Sequence, residues 1–408
     1  MEIPREYVYL SSKENLNSLS DWLIIRKIYL NLQAIWKMDI GMRRILVIVM
    51  GFCVTLGISA QRNLQQLADS IVKYQLKSGG WPKNQDWLKG VDPKEAKAWR
   101  KTGIGGTIDN GATTTEMETL AKAVAYMDKM SADVPLWVDG DKTKVMRENY
   151  CNAFAKGLAY LLEMQYENGG FPQFYPPKKE EGYSSQITFN DNAMVNVLKI
   201  LRDVGHDDSR FRCMGIDKKT KKKCVAAYER GLQCLLDCQI RVDVDGRVLD
   251  YGTEAWKQGS RTVWCQQHDK QTLAPVKARA YELPSYTGNG ETCSILDLLM
   301  DVENPSEEVK EAVRSGVEWL KAHAMKDVAV ERFTNEEGKT DIRLAKRQGA
   351  EPLWARYYDL EHGEPMFCDR DGIPRKSLSE IGYERRNGYS WVGDAPKRVI
   401  ERYENWKK

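Results

Sequence analysis

Histidine, charge of one sign and long apolar runs are the things this chain has little of. Its four histidines are scattered over 408 residues. None of its nine cysteines falls into the paired spacing of a zinc site, which excludes a structural zinc module. Basic and acidic residues number 61 and 58, a formal charge of +3. That balance excludes a general nucleic-acid binder and leaves anion recognition to local clusters. The longest apolar run, Ile45 to Ile58, falls short of the roughly 20 residues that span a bilayer.

What that run does have is the right flanks for export. Arg43-Arg44, the apolar stretch, and Ser59-Ala60 before Gln61 follow the order of a secretory signal over residues 42–60. Cys53 has no small residues ahead of it, which argues against a lipoprotein. Secretory signals stand at an N-terminus, so residues 1–41 read as an over-extended start, with Met42 or Met38 the true initiator. Residues 61–408 are then expected to form one secreted or periplasmic catalytic domain, monomeric and without a membrane contact. In an oxidising compartment Cys213 and Cys224 could be bridged across the Lys-rich loop between them.

The mature chain repeats itself. Leu64 to Leu76, Ala153 to Gln165 and Ala226 to Gln239 have apolar residues at three- and four-residue steps, and each carries a Gln near its end: Gln75, Gln165, Gln239. Two of these runs continue alike, into Gly79-Gly80-Trp81-Pro82 and Gly169-Gly170-Phe171-Pro172, where paired glycines and a proline stop the helix. Partner helices follow, each entered through a polar turn: Asp109-Asn110-Gly111 before Thr113 to Met130, Asn190-Asp191-Asn192 before Ala193 to Val204, and Asn289-Gly290 before Glu291 to Val302. Thr113 and Glu116 have capping-box spacing. Val313 to Ala324 reads as a closing helix, and Val242 to Tyr251 as a short hairpin around an Asp-Gly turn. The fold expected is mainly α: an α/α toroid of three helix pairs, with short β-hairpins and a loop-rich C-terminal part. In such a ring the three turns converge on one mouth.

That mouth would hold carboxylates together with Arg279, Arg356 and Arg370. A mutually neutralising salt-bridge network is the plain reading of such a mixture. A polyanion held by cations and a bridging metal is the other, since carboxylate and amide oxygens suit calcium and guanidinium forks suit carboxylates. Trp81, Phe171 and Trp264 offer faces to sugar rings, although packing in the toroid explains them as well. The Gln…Gly-Trp repeats would also fit a terpenoid-cyclase-like or prenyl-transfer barrel, but an Asp-rich diphosphate motif is missing. Eliminative cleavage of an acidic polysaccharide needs neutralisation of the uronate carboxylate and a base for the proton α to it.

From about Gln61 onward the chain resembles the family-ten polysaccharide lyases, which are pectate lyases. The residues that carry the resemblance are Gly79 to Asn84, Thr107 to Thr113, Thr188 to Asp191, Trp264 to Asp269, Ala278 to Ser285, Pro352 to Tyr358 and Glu384 to Tyr389, in that order. The resemblance implies calcium-assisted anti β-elimination on polygalacturonate. It implies Asp109, Asp191 and Asn110 at the calcium, Arg279 as the base, and Lys83, Arg356 and Arg370 on the substrate. Extra residues at 248–261 and 213–224 depart from the family pattern and bear on subsite shape. A non-catalytic acidic-polysaccharide-binding protein on the same fold is the alternative.

Overall fold

A computed structural model describes residues 63–102, 105–133, 140–177 and 182–407. The expected export signal lies outside the described residues. Helices dominate: α1 (63–73), α2 (Thr114–Asp133), α3 (Gly140–Met164), α4 (Ala193–Gly205), α5 (Lys218–Cys238), α6 (Gly290–Met300), α7 (Glu307–Ala322) and α8 (Ala395–Trp406). Helices α2, α4 and α6 pack against one another as an inner row, while α3, α5 and α7 stack behind them. This is the α/α toroid, and α8, which packs on α6 and α7, adds a fourth pair to the three expected.

The repeat is held together by the same hydrogen bonds each time. Gln75 Nε2 donates to Gly79 O and to Ala153 O on the next outer helix, at 2.7 and 2.8 Å. Gln165 Nε2 does the same to Gly169 O and Ala227 O, at 3.0 and 2.8 Å. Gln239 Nε2 reaches Thr262 O and Ala312 O, at 2.8 and 3.0 Å. Each Gln thus ties the end of one outer helix to the middle of the next. The indoles of Trp81, Trp264 and Trp354 donate back to Ile71 O, Leu235 O and Leu320 O, which marks Trp354 as the fourth copy. Trp81, Phe171 and Trp264 are fully buried, so their role is packing and not sugar stacking.

The glycines that open each unit have a specific reason to be there. Gly79 and Gly169 sit at φ +100° and +87°, and an added Cβ would lie 2.4 Å from Lys156 O and 2.1 Å from Arg230 O. Sheets are minor. The longest strands, Val328–Thr334 and Thr340–Lys346, form an antiparallel hairpin packed beside Tyr383–Asn387. A small second core centred on Tyr357, Phe367 and Trp391 lies under the C-terminal strands.

Three local expectations are corrected. Asp217 caps α5 by accepting from the Lys219 and Thr220 amides, so residues 218–223 are helix rather than loop. Cys213 and Cys224 are free thiols, since Cys213 Sγ turns to Ala121 O while Cys224 is buried in the core. Thr113 does not cap α2: it sits at φ +67°, accepts the Trp81 amide and donates to Thr107 O, leaving Glu116 to Trp87. The short hairpin expected around Gly246 does form: Val242 bridges Val248, Asp243 N–H donates to Arg247 O and Leu249 N–H to Arg241 O, both at 3.0 Å, and Arg241–Val242 also pairs with Ser260–Arg261.

Candidate active site

The three turns do meet. Each follows a threonine whose amide is fixed by the repeat: Thr107 N to Trp81 O, Thr188 N to Phe171 O, Thr287 N to Trp264 O, at 3.1, 3.1 and 2.8 Å. Counting from that threonine, Asp109, Asn190 and Asn289 occupy one equivalent position, and Asn110, Asp191 and Gly290 the next. Asn110 and Asp191 share a left-handed backbone, φ 53° and 50°. The acid and the amide have therefore changed places between the first turn and the second.

This swap decides where the sequence-predicted residues lie. Asp109 and Asp191 come together through Asn190, whose Nδ2 donates to Asp191 Oδ2 at 2.8 Å and to Asp109 Oδ1 at 3.4 Å. Asn110 points elsewhere, donating to Asn84 Oδ1 at 2.9 Å. The amide between the two acids is thus Asn190. Lys83 is brought to the mouth and is ion-paired with buried Asp109. Arg356 lies there too, donating to Glu291 Oε1 at 2.5 Å and Asn190 Oδ1 at 3.2 Å, with Asp191 at 3.7 Å. Its Nε has no partner among the described residues. Asp191, Glu291, Arg356 and Ser390 line a cleft of about 230 Å³.

Three carboxylates, Asp109, Asp191 and Glu291, thus face two cations, Lys83 and Arg356. Burial raises the Asp191 carboxyl above its ordinary value, Glu291 and Asp109 add to the shift, and Arg356 opposes it. Partly buried Arg356 is held firmly protonated, its desolvation outweighed by Glu291. Among the described residues no three His, Cys, Asp or Glu side chains form a metal cage on their own. Two aspartates and an amide with a surplus negative charge nevertheless fit a hard cation that takes its remaining oxygens from a bound carboxylate and water.

Arg279 stands at the other end of a continuous network. Gln266 donates to Asn190 Oδ1. Tyr357 Oη donates to Gln266 Oε1 at 2.6 Å and contacts Tyr389 Oη at 2.6 Å, and Tyr389 donates to Glu282 Oε1 at 3.2 Å. Glu282 in turn holds Arg279 through its Nε and Nη2. Burial would lower the Arg279 pKa, but Glu282 wins and raises it. Arg370 is exposed and paired with Glu384 at 3.0 Å, and lies with Arg279 and Arg385 around the Tyr281 ring, at 5.9, 5.1 and 4.3 Å from its centroid.

Sequence reasoning brings the Asn289–Glu291 turn to the mouth without giving Glu291 a role, and it misses Asn190, Gln266, Glu282, Tyr389 and Arg385. Arg385 is buried between Tyr281 and Tyr389, its Nε without a partner among the described residues. The signal available was position: Glu282 lies three residues from Arg279, and Asn190 directly precedes Asp191. His268, in the same motif as Gln266, is structural. It accepts the Cys265 amide, bonds Leu273 O, and burial pushes its pKa down to about 4.

Known proteins resemble this chain over most of its length. A family model described as pectic acid lyase matches residues 75–400. A solved family 10 polysaccharide lyase from Cellvibrio cellulosa is 30% identical with a TM-score of 0.66, over 86% of this chain and 96% of that one. A mutant of a family 10 polysaccharide lyase from the same organism, in complex with trigalacturonic acid, is likewise 30% identical at TM-score 0.66, over 86% and 97%. No curated protein matches. The chain belongs to the pectic acid lyase family and is a polysaccharide lyase.

Proposed function

We propose that the protein is a secreted, calcium-dependent pectate lyase that cleaves α-1,4-linked polygalacturonate by anti β-elimination, leaving 4,5-unsaturated oligogalacturonides. The observation that carries this reading is the pairing of Asp109 and Asp191 across Asn190, in one network with Arg279. The trigalacturonic acid bound by the Cellvibrio protein supports an acidic pectic substrate.

Asp109 and Asp191 would hold the calcium. Calcium, when bound, neutralises the uronate carboxylate and so acidifies the proton on C5. Arg356, cationic and with a free Nε, lies where a uronate oxygen can take its remaining N–H. Lys83 can turn from Asp109 to the substrate, and Arg370 can turn from Glu384 to a neighbouring uronate. Arg279 takes the C5 proton. The C5–H electrons become the C4=C5 bond, the C4–O bond breaks, and the leaving oxygen is protonated.

For that step the Arg279 guanidinium must be neutral, although Glu282 favours its cationic form. The cations that gather with substrate offset this preference, and Glu282 fixes the side chain so that its remaining Nη1 faces outward from the pair.

The test is to incubate the protein from Gln61 onward with polygalacturonate and follow ultraviolet absorbance from the unsaturated product. Absorbance should rise, stop with a calcium chelator and return with added calcium. Binding without absorbance under any of these conditions overturns the reading in favour of a non-catalytic glycan binder.

A further inference from the structure

Beyond the Asn84–Asn110 amide pair lies a second cavity, of about 290 Å³, between α1, the start of α2 and the loop around Trp87. At roughly 30 Å³ per water it has room for about ten waters, or for one sugar ring. Leu67, Ile71 and Trp87 form an apolar wall, and Asn84, Asn110 and Glu116 supply polar groups. Among the described residues no Lys, Arg or His lines it.

Glu116 is the group that needs explaining. It is only 6% exposed. Its Oε1 accepts the Trp87 indole N–H at 2.9 Å, which a structural role would require. Its Oε2 is buried with no hydrogen-bond partner among the described residues, and the residue lines the cavity. An unsatisfied buried carboxyl oxygen destabilises the fold, so a ligand that satisfies it binds with that advantage. Burial also raises the Glu116 pKa, with the Trp87 indole and the Glu116 and Thr113 backbone N–H groups opposing the shift.

The chemistry of the partner follows. Protonated, Glu116 donates to a hydroxyl or carbonyl; ionised, it accepts from a hydroxyl. Ionised, it repels a carboxylate, and among the described residues the cavity has no cation to neutralise one. We propose that this cavity is a subsite for an uncharged pyranose ring, stacked on the apolar wall and hydrogen-bonded to Glu116, adjoining the uronate-binding centre. Its position supports this: Lys83 and Asp109, the chain neighbours of Asn84 and Asn110, are the ion pair of that centre. The assignment rests on the pectate-lyase reading for its context. Two sources supply such a ring, a methyl-esterified galacturonosyl unit of the main chain and a neutral sugar of a branch.

Two readouts keep the subsite and the enzyme reading separable. The first is ligand-observed NMR with methyl galacturonate methyl ester and with methyl galactoside, which needs no turnover. Either probe should bind wild type and be lost in Thr115→Trp, an exposed substitution at the cavity rim. The second compares kcat/KM on unbranched de-esterified, partially methyl-esterified and neutral-branched polygalacturonate. Glu116→Ala and Thr115→Trp should stay within about twofold of wild type on the first, and fall about tenfold or more on the esterified or the branched substrate. The substrate that suffers names the source, and Glu116→Gln, which keeps a donor and an acceptor, should recover most of the loss. Equal effects on all three substrates, or binding of neither probe, overturn the proposal. Wild type that binds a probe but never cleaves polygalacturonate overturns the enzyme reading alone.

Discussion

Glu282 holds Arg279 by three contacts: its carboxylate accepts the Arg279 backbone N–H at 3.1 Å, the Nε–H at 2.7 Å and an Nη2–H. A lysine at 279 would keep the charge and lose the fork. Arg279→Lys should therefore lower kcat by about 10²–10⁴ with a much smaller change in KM. Steady-state kinetics on polygalacturonate at neutral pH checks this, and near-normal turnover of the lysine variant would sink the base assignment. Glu282→Gln should lower kcat as well, because orientation is lost even as the guanidinium becomes easier to deprotonate.

The proposed calcium site predicts a pH dependence of definite sign. Burial raises the Asp191 pKa in the folded state. The native state then binds that proton more tightly than the unfolded chain, so this group favours the fold most at acidic pH. Its contribution falls as pH rises from the unfolded carboxylate pKa through the raised folded one. Calcium needs the ionised form. Thermal melts should therefore show calcium raising Tm at neutral pH, with the increment shrinking as pH falls into the carboxylate range. A calcium increment independent of pH would remove Asp191 from the site, and Asp191→Ala should abolish it.

Gln239 is fully buried and donates to Thr262 O and Ala312 O. Gln239→Leu leaves both carbonyls without that donor and should destabilise the protein by about 2 kcal/mol. Chemical denaturation measures it. Activity below the melting transition should be little changed, since Gln239 makes no contact with the mouth.

Gly169→Ala combines a left-handed backbone with a Cβ 2.1 Å from Arg230 O. The substitution should cost at least about 1–3 kcal/mol from strain alone. Gly246→Ala, at φ +82° but with nothing within 4 Å of the added Cβ, should cost less. Comparing the two denaturation midpoints separates backbone strain from the close approach.

The repeat was legible because its parts are local. Helical period, a terminal Gln, paired glycines and a following proline all fall within about twenty residues, and they place the three mouth turns correctly. The fourth pair was not, because α8 follows no Gly-Gly-Trp-Pro marker, and only the hydrogen bond of Trp354 to Leu320 O reveals the equivalence. The hairpin of Val328–Thr334 and Thr340–Lys346 is mostly exposed, with Asp341 its one buried residue, so it lacks a strong apolar alternation. At the site, the motifs single out Asp109, Asp191, Lys83 and Arg356, which the structure brings to one mouth. Asn110, expected near the calcium, donates to Asn84 instead, although the first two turns look alike in sequence. Their one-residue swap becomes visible only when the threonine hydrogen bonds set the register. Glu282 and Arg385 lay inside motifs already singled out, but which of several charged neighbours turns inward depends on the tyrosines packed around them.

The most direct test of the central claim is a count of products. Polygalacturonate is digested in calcium, stopped with chelator, and the new reducing ends and new unsaturated uronate ends are measured on the same sample. Elimination predicts one unsaturated end for every new reducing end, and none of either with Arg279→Ala. New reducing ends without matching unsaturated ends would show that the bond is broken by water, and would contradict the account.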